Sequence, residues 1–155
     1  YLLWPLLAGP FFLIVLAANI IANSLRNIWT FAVIFCGHFP DGVEHFSKDQ
    51  IADESRGRWY LRQMLGSCNI RGGKLMHILT GNLSHQIEHH IFPDLPSNRY
   101  AEVAPEVRAI CRQYGLPYNS RPFVQQLGST LKTLMRLSLP GARQQRPGSF
   151  SVKPV

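Results

Sequence analysis

From Tyr1 to Leu25 the chain carries no ionisable side chain other than the tyrosine, and after Arg26 the apolar run resumes as far as Phe39. Pro5, Gly9 and Pro10 interrupt the opening residues, so Tyr1–Ala8 reads as the tail of an earlier helix. Between Phe11 and His38 the only breaker is Gly37. A helix over that stretch is about 42 Å long at ~1.5 Å per residue, enough to cross a hydrocarbon core of ~30 Å. Arg26 lies inside it, flanked by Asn23, Ser24 and Asn27. A charge at that depth costs about 2.5–3.5 kcal/mol on insertion scales, so Arg26 is expected to face protein or a polar cavity. The competing reading of the same pattern is a buried helix of a soluble protein. A signal peptide fits poorly, because no basic region precedes the apolar run and no small-residue cleavage site follows it. The abrupt apolar start leads us to expect a piece of a longer chain.

Beyond His38 the pattern changes to short amphipathic stretches. Phe39, Pro40, Asp41 and Gly42 form a turn that ends the long helix. Residues 43–58 read as a polar loop with a short helical piece, and Trp59–Leu65 as a short amphipathic segment. Asn69–Gly73 is a second breaker, after which Lys74–Ile91 reads as one helix ending at Phe92 and Pro93. Ser97 or Asn98 is placed to cap the next helix, and Pro105 to kink or restart it. Val103, Val107, Ile110, Cys111 and Tyr114 have helical spacing there, and Gly115 supplies a stop. Pro117 and Pro122 bracket a connector, and Phe123–Leu137 reads as a last amphipathic helix with basic residues and no acids. The Gly-, Pro-, Gln- and Arg-rich stretch from Pro140 reads as disordered. No repeat and no strand pair stands out. The expected fold class is all-α, an integral membrane protein fragment: a transmembrane region over 1–39, a helical region over 40–139 and a disordered tail over 140–155.

Charge adds an orientation. All nine Asp and Glu, and all but one of the 16 Lys and Arg, lie after position 40, and the net charge is +7. The positive-inside rule therefore places the polar region in the cytoplasm. A basic surface of this kind need not imply nucleic acid, and no motif for reading it is present. The charged share of 16%, against about 25% in ordinary soluble domains, excludes an evenly mixed soluble globule. Cys36, Cys68 and Cys111 are odd in number and lack CxxC spacing, which excludes a disulfide scaffold or a cysteine zinc finger.

The histidines carry the candidate chemistry. They fall at His38, His45, His77, His85, His89 and His90. On a helix, Asn82, His85, Gln86, His89 and His90 cover an arc of about 140°, beside an apolar arc of Leu83, Ile87 and Ile91. Converging imidazoles repel one another when protonated, which keeps them neutral, and neutral imidazole is a good ligand for iron, zinc, copper or nickel. His38, where the long helix leaves the membrane, asks for a polar partner and is a further ligand candidate. His45 reads as a polar loop residue or as a group orienting a ligand, and His77 as pointing away from the cluster. Glu88, off the imidazole arc, is placed to orient a ring nitrogen.

The stretch Gly81 to Pro96, GNLSHQIEHHIFPDLP, closely resembles the third histidine box of membrane fatty acid desaturases, where Gln-x-x-His-His or His-x-x-x-His-His is followed by Phe-Pro. Cys36 to Pro40, CGHFP, looks like the family segment that ends the last spanning helix and adds one ligating histidine. Tyr114 to Tyr118, YGLPY, is also similar to the C-terminal portion of acyl-lipid and acyl-CoA desaturases of bacterial type. The resemblance covers about residues 1 to 139. It implies a multi-pass membrane enzyme with two non-haem iron ions, held here by His38, His85, His89 and His90. Such an enzyme uses O2 to insert a double bond into a fatty acyl chain carried on CoA or a lipid. It further implies an electron donor, a ferredoxin or haem protein with its reductase, because no flavin or nicotinamide motif is present. By one spacing Gln86 leads the box, and by the other His85 does. The two earlier boxes of the family are missing, so the ligand set is incomplete and this chain alone is expected to be inactive. A hydroxylase on the same scaffold and a non-catalytic membrane-anchored interaction module are the alternatives.

Overall fold

The computed structural model describes residues 2–140 and is predominantly α-helical. The expected tail lies outside the described residues apart from Pro140. The chain divides into two compact units, Tyr1–Val33 and Ile34–Val155. In the first, α1 (Leu3–Leu7) is followed by a 3-10 turn, Gly9–Phe11, and then by the start of α2 (Phe12–His38). Gly9–His38 has a mean hydropathy of 1.6 over its most apolar window and is long enough to cross a membrane. Leu13, Ile14, Leu25 and Ile28 are all exposed, so the described residues do not bury α2, and it is a candidate membrane span. Asn19, Asn23, Arg26, Asn27 and Thr30 share one face of α2 at helical spacing. On it Asn23 donates to the Asn19 carbonyl (2.7 Å) and Arg26 to Asn27 Oδ1 (3.3 Å).

In the second unit, α3 (Lys48–Ile51), α4 (Arg56–Leu65), β1 (Asn69–Arg71), α5 (Lys74–Leu79), α6 (Gln86–Ile91), α7 (Tyr100–Gln113), β2 (Ser120–Pro122) and α8 (Phe123–Leu137) follow in order. Ser55 caps α4 by accepting from Arg58 N–H (3.3 Å). The bidentate pair of Arg62 with Glu54 ties α4 to the preceding loop. The core forms where α4, α6 and α7 meet, from Met64, Ile87, Val107 and Cys111, with Leu61, Ile91, Leu116 and Tyr118 packed around it.

Three local expectations are corrected. Lys74–Ile91 is two helices rather than one. Gly81 (φ 59°) and Asn82 (φ 64°) both take left-handed backbone, which a helix cannot continue through. Pro105 does not restart its helix, since α7 runs through it from Tyr100 to Gln113. The chain also holds a strand pair: β1 and β2 run parallel, with Asn69 opposite Ser120 and Arg71 opposite Pro122. Pro122 closes that pair where its missing N–H is not needed, and α8 begins at the next residue, Phe123.

Candidate metal centre

The break at Gly81–Asn82 decides which histidines meet. α6 starts only at Gln86, and His85 stands before it in a non-helical conformation (φ −95°, ψ 57°). Asn82 is therefore not on the box helix at all, and its expected place on the imidazole arc is corrected. His85 turns away with it. Its ring stacks on His77, centroids 4.6 Å apart and planes 23° apart. His77 consequently does not point away from the histidines, because the turn folds α5 back onto the start of α6. His77 Nδ1 lies 2.7 Å from Ser84 Oγ. His45 packs near Phe39, centroids 6.2 Å apart.

The second grouping joins the last residue of α2 to α6. Gln86 Nε2 lies 3.1 Å from His38 Nε2 and 3.2 Å from His90 Nε2. The His38 and His90 rings are 5.0 Å apart edge to face. Gly37 makes room for this, because a Cβ there would sit 2.9 Å from Gln86 Cγ. His90 Nδ1 is 3.0 Å from Gln63 Oε1 on α4, an acceptor, which fixes the ring proton on Nδ1 and leaves the Nε2 lone pair free. An amide NH2 has only protons to offer. Two imidazole lone pairs thus converge on one electron-poor group, the demand a cation would make of the same atoms. His89 adjoins His90 (centroids 5.5 Å), with its Nδ1 3.0 Å from the hydroxyl of buried Tyr100.

Burial, with the neighbouring rings, keeps His85 and His90 neutral. Burial, and then the neighbouring His38 and His89, push His90 down to about 4. Burial, then His77 and Arg108, push His85 down to about 4 as well. The His85 Nδ1 to Glu88 Oε2 approach of 3.8 Å is therefore not an ion pair at neutral pH. His85 Nε2 is buried without a hydrogen-bond partner among the described residues. Glu88 is wholly buried, accepting from Asn69 Nδ2 (2.7 Å) and from Tyr118 OH (2.8 Å). Burial and then the Glu88 carboxylate raise the Tyr118 phenol, so it stays protonated and donates. Asn69 Oδ1 also accepts the Ile87 N–H (2.8 Å), satisfying an orphan donor in the first turn of α6.

The donor chemistry suits a nitrogen-liganded transition metal: two lone pairs converge, one buried ring nitrogen has no partner among the described residues, and His85 and His90 are neutral. The number of donors falls short. Among the described residues no group of three or more His, Cys, Asp or Glu side chains is placed to hold a metal ion. The sequence reading missed Gln63, Asn69 and Tyr100, which hold the box from other elements and have no local motif of their own, and it gave no such role to Tyr118, which ends the YGLPY stretch.

A long apolar helix ending in a histidine, followed by a short buried helix bearing His89 and His90, defines a class. The chain belongs to the fatty acid desaturase family, whose match covers residues 1–122. Over 125 residues it is 54% identical to the NADPH-dependent stearoyl-CoA 9-desaturase of Mycobacterium tuberculosis, covering 81% of this chain and 29% of that protein. It is 34% identical over 111 residues to the Delta(8)-fatty-acid desaturase of Helianthus annuus, covering 71% of this chain and 24% of that one. With fatty acid desaturase 3 of Bos taurus the identity is 30% over 112 residues, covering 72% and 24%. The chain thus spans less than a third of the length of these relatives. No solved structure matches it.

Proposed function

We propose that this chain supplies part of the iron-binding centre of a membrane-bound acyl desaturase, with His38, His85, His89 and His90 as its ligands. The observation that carries this is the convergence of His38 Nε2 and His90 Nε2 on one point. Two histidine-held iron ions would supply the O2 chemistry: two hydrogens leave adjacent methylenes, and with two electrons and two protons from a donor system O2 becomes two waters. The chain's own residues prepare that site. Gln63 holds the His90 ring in one tautomer, Tyr100 holds His89, and the buried Glu88 with Asn69 and Tyr118 fixes the helix that carries both. Gln86, between His38 and His90, has the better claim to lead the box on side-chain position. The unpartnered Nε2 is what speaks for His85.

The substrate reading is a saturated fatty acyl chain on CoA or on a lipid, and the name of the mycobacterial relative favours stearoyl-CoA. A mostly apolar recess of about 730 Å³, lined by Trp59, Tyr60, Ile91, Phe92 and Leu95 among others, adjoins the end of the box and suits an alkyl chain. A basic recess of about 330 Å³ includes Arg71, Arg108 and Arg112 and suits an anionic CoA or an acidic ferredoxin or haem protein working with a reductase. In the intact multi-pass protein, residues 40–139 face the cytoplasm and 1–39 are embedded in lipid. Product analysis of the intact enzyme, supplied with O2, reductase and stearoyl-CoA, tests the reading. An alkene that disappears in His90→Ala is the expected result. An alcohol would make it a hydroxylase, and no turnover by an iron-loaded, intact protein would leave a non-catalytic module.

A further inference from the structure

The family match stops at residue 122, and α8 begins at 123. This helix is inverted. Its buried side chains are polar, Gln126 at 0%, Thr130 at 1% and Thr133 at 8% exposure, whereas Val124, Leu131 and Met135 are 79%, 46% and 71% exposed. A helix of a water-soluble body has the opposite order. Val124, Leu131 and Met135 fall within about 40° of one another around the axis, with exposed Lys132 on one border of that stripe and half-buried Arg136 further round on the same side. Residues 123–139 contain no Asp or Glu. The carboxylate that the described contacts bring to α8 is Asp41, on its inner side, where Thr133 Oγ1 donates to it (3.5 Å).

The buried face of α8 is fastened where the long apolar run ends. Thr130 Oγ1 donates to the Phe35 carbonyl (3.5 Å), in the last turn of α2. Asp41 N–H donates to Ser129 Oγ (2.7 Å), and Gln126 Nε2 to the Asn69 carbonyl (3.2 Å). Because β1 and β2 are parallel, the segments that follow them, α5 and α8, leave the pair at the same end. Helix α5 likewise exposes Leu75 and Ile78.

We propose that α8 is a membrane-surface helix, its Val124, Leu131 and Met135 stripe seated in the lipid beside the exit of α2, with Lys132 and Arg136 reaching anionic headgroups. The occupant is lipid because the stripe is bordered by long basic side chains with no acid in the segment, an arrangement that lets each cation snorkel to the headgroup layer. The proposal rests on α2 spanning the bilayer and is independent of the reaction.

The test uses the whole chain in nanodiscs of phosphatidylcholine and phosphatidylglycerol, with an environment-sensitive NBD label at single introduced cysteines. The chain's own thiols are buried and leave the background clean. Labels go at Val124→Cys, Leu131→Cys and Met135→Cys, at Ile21→Cys within α2, and at Glu106→Cys on exposed α7 surface. Doxyl-labelled phosphatidylcholine should quench the three α8 labels and Ile21→Cys, and leave Glu106→Cys bright. Blue-shifted α8 labels that escape lipid quenching would mean that protein covers the stripe, and water-like emission would mean that nothing does. Either overturns the proposal while Ile21→Cys remains quenched. An unquenched Ile21→Cys would overturn the span and the proposal together.

Discussion

At the scale of single residues, the site depends on which nitrogen of each ring is free. His90 can offer its Nε2 lone pair because Gln63 Oε1 holds the Nδ1 proton at 3.0 Å. Gln63→Leu should therefore loosen the tautomer and ring orientation without opening the core. In the intact enzyme, iron affinity is expected to fall by about 10–100-fold, the usual cost of losing a partner that orients a ligand. Iron titration checks this, with circular dichroism showing that the fold is kept. Neutrality has its own consequence. Burial holds His85 and His90 at about 4 in the folded chain, against 6.5 for the free side chain. As pH falls from 6.5 toward 4, the unfolded chain takes up protons on these rings that the folded chain refuses, so stability declines through that window and is flat above it. Thermal unfolding of the metal-free chain should thus show a lower midpoint near pH ~5 than at neutral pH. His85→Phe should reduce that dependence, because a ring that cannot titrate takes its share of the linkage away.

At the scale of elements, α6 is too short to hold itself, since six residues make barely more than one hydrogen-bonded turn. It is held by β1 and by the stretch before β2, through Asn69 and Tyr118. Asn69→Ala removes the acceptor for the Ile87 N–H and a donor to buried Glu88 in one step. A destabilisation of about 1–3 kcal/mol is expected, because a buried group left unsatisfied costs its full desolvation. Tyr118→Phe, which removes a single donor to the carboxylate, should cost about 1.5–3 kcal/mol. Denaturant unfolding measures both. These ties also show what was legible in the sequence. Helix α8 has the expected bounds and α2 differs by one residue at its start, because periodicity and breakers are local signals. Lys74–Ile91 misled because a wheel drawn at 100° per residue assumes a continuous helix, and Gly81 with Asn82 ends it. That error carried Asn82 onto the wrong face and His77 away from His85. That His89 and His90 adjoin on one helix could be read from spacing, and the resemblance sets His38 beside them; their role as ligands is proposed. Gln63 reaches His90 across 27 residues and Tyr100 reaches His89 across 11, while Asn69 and Tyr118 reach Glu88 on the same helix across 19 and 30, by contacts that exist only after α4, α6 and α7 pack.

At the scale of the whole molecule, the question is on which side of a membrane the histidines stand. Residues of α2 such as Leu13, Leu25 and Ile28 expose about two thirds or more of their surface, which in water would make an aggregating patch and in a bilayer is the ordinary state of a spanning helix. Arg26 heads a polar stripe with Asn19, Asn23 and Asn27, and a charge at that depth needs protein or water beside it. Past His38 the basic excess is nearly complete, and short basic segments are retained on the cytoplasmic side. The natural reporter for this topology would be a thiol in the polar region, yet Cys111 is buried against Met64 and would stay unlabelled on either side. Glu106→Cys, five residues earlier on the exposed face of α7, avoids that ambiguity. In sealed inside-out vesicles, where the cytoplasmic face is outermost, a membrane-impermeant maleimide should label Glu106→Cys fully. In right-side-out vesicles it should label only after detergent is added. The opposite pattern would place His38, His89 and His90 on the far side of the membrane, out of reach of a cytoplasmic reductase, and would remove the proposed electron supply along with the topology.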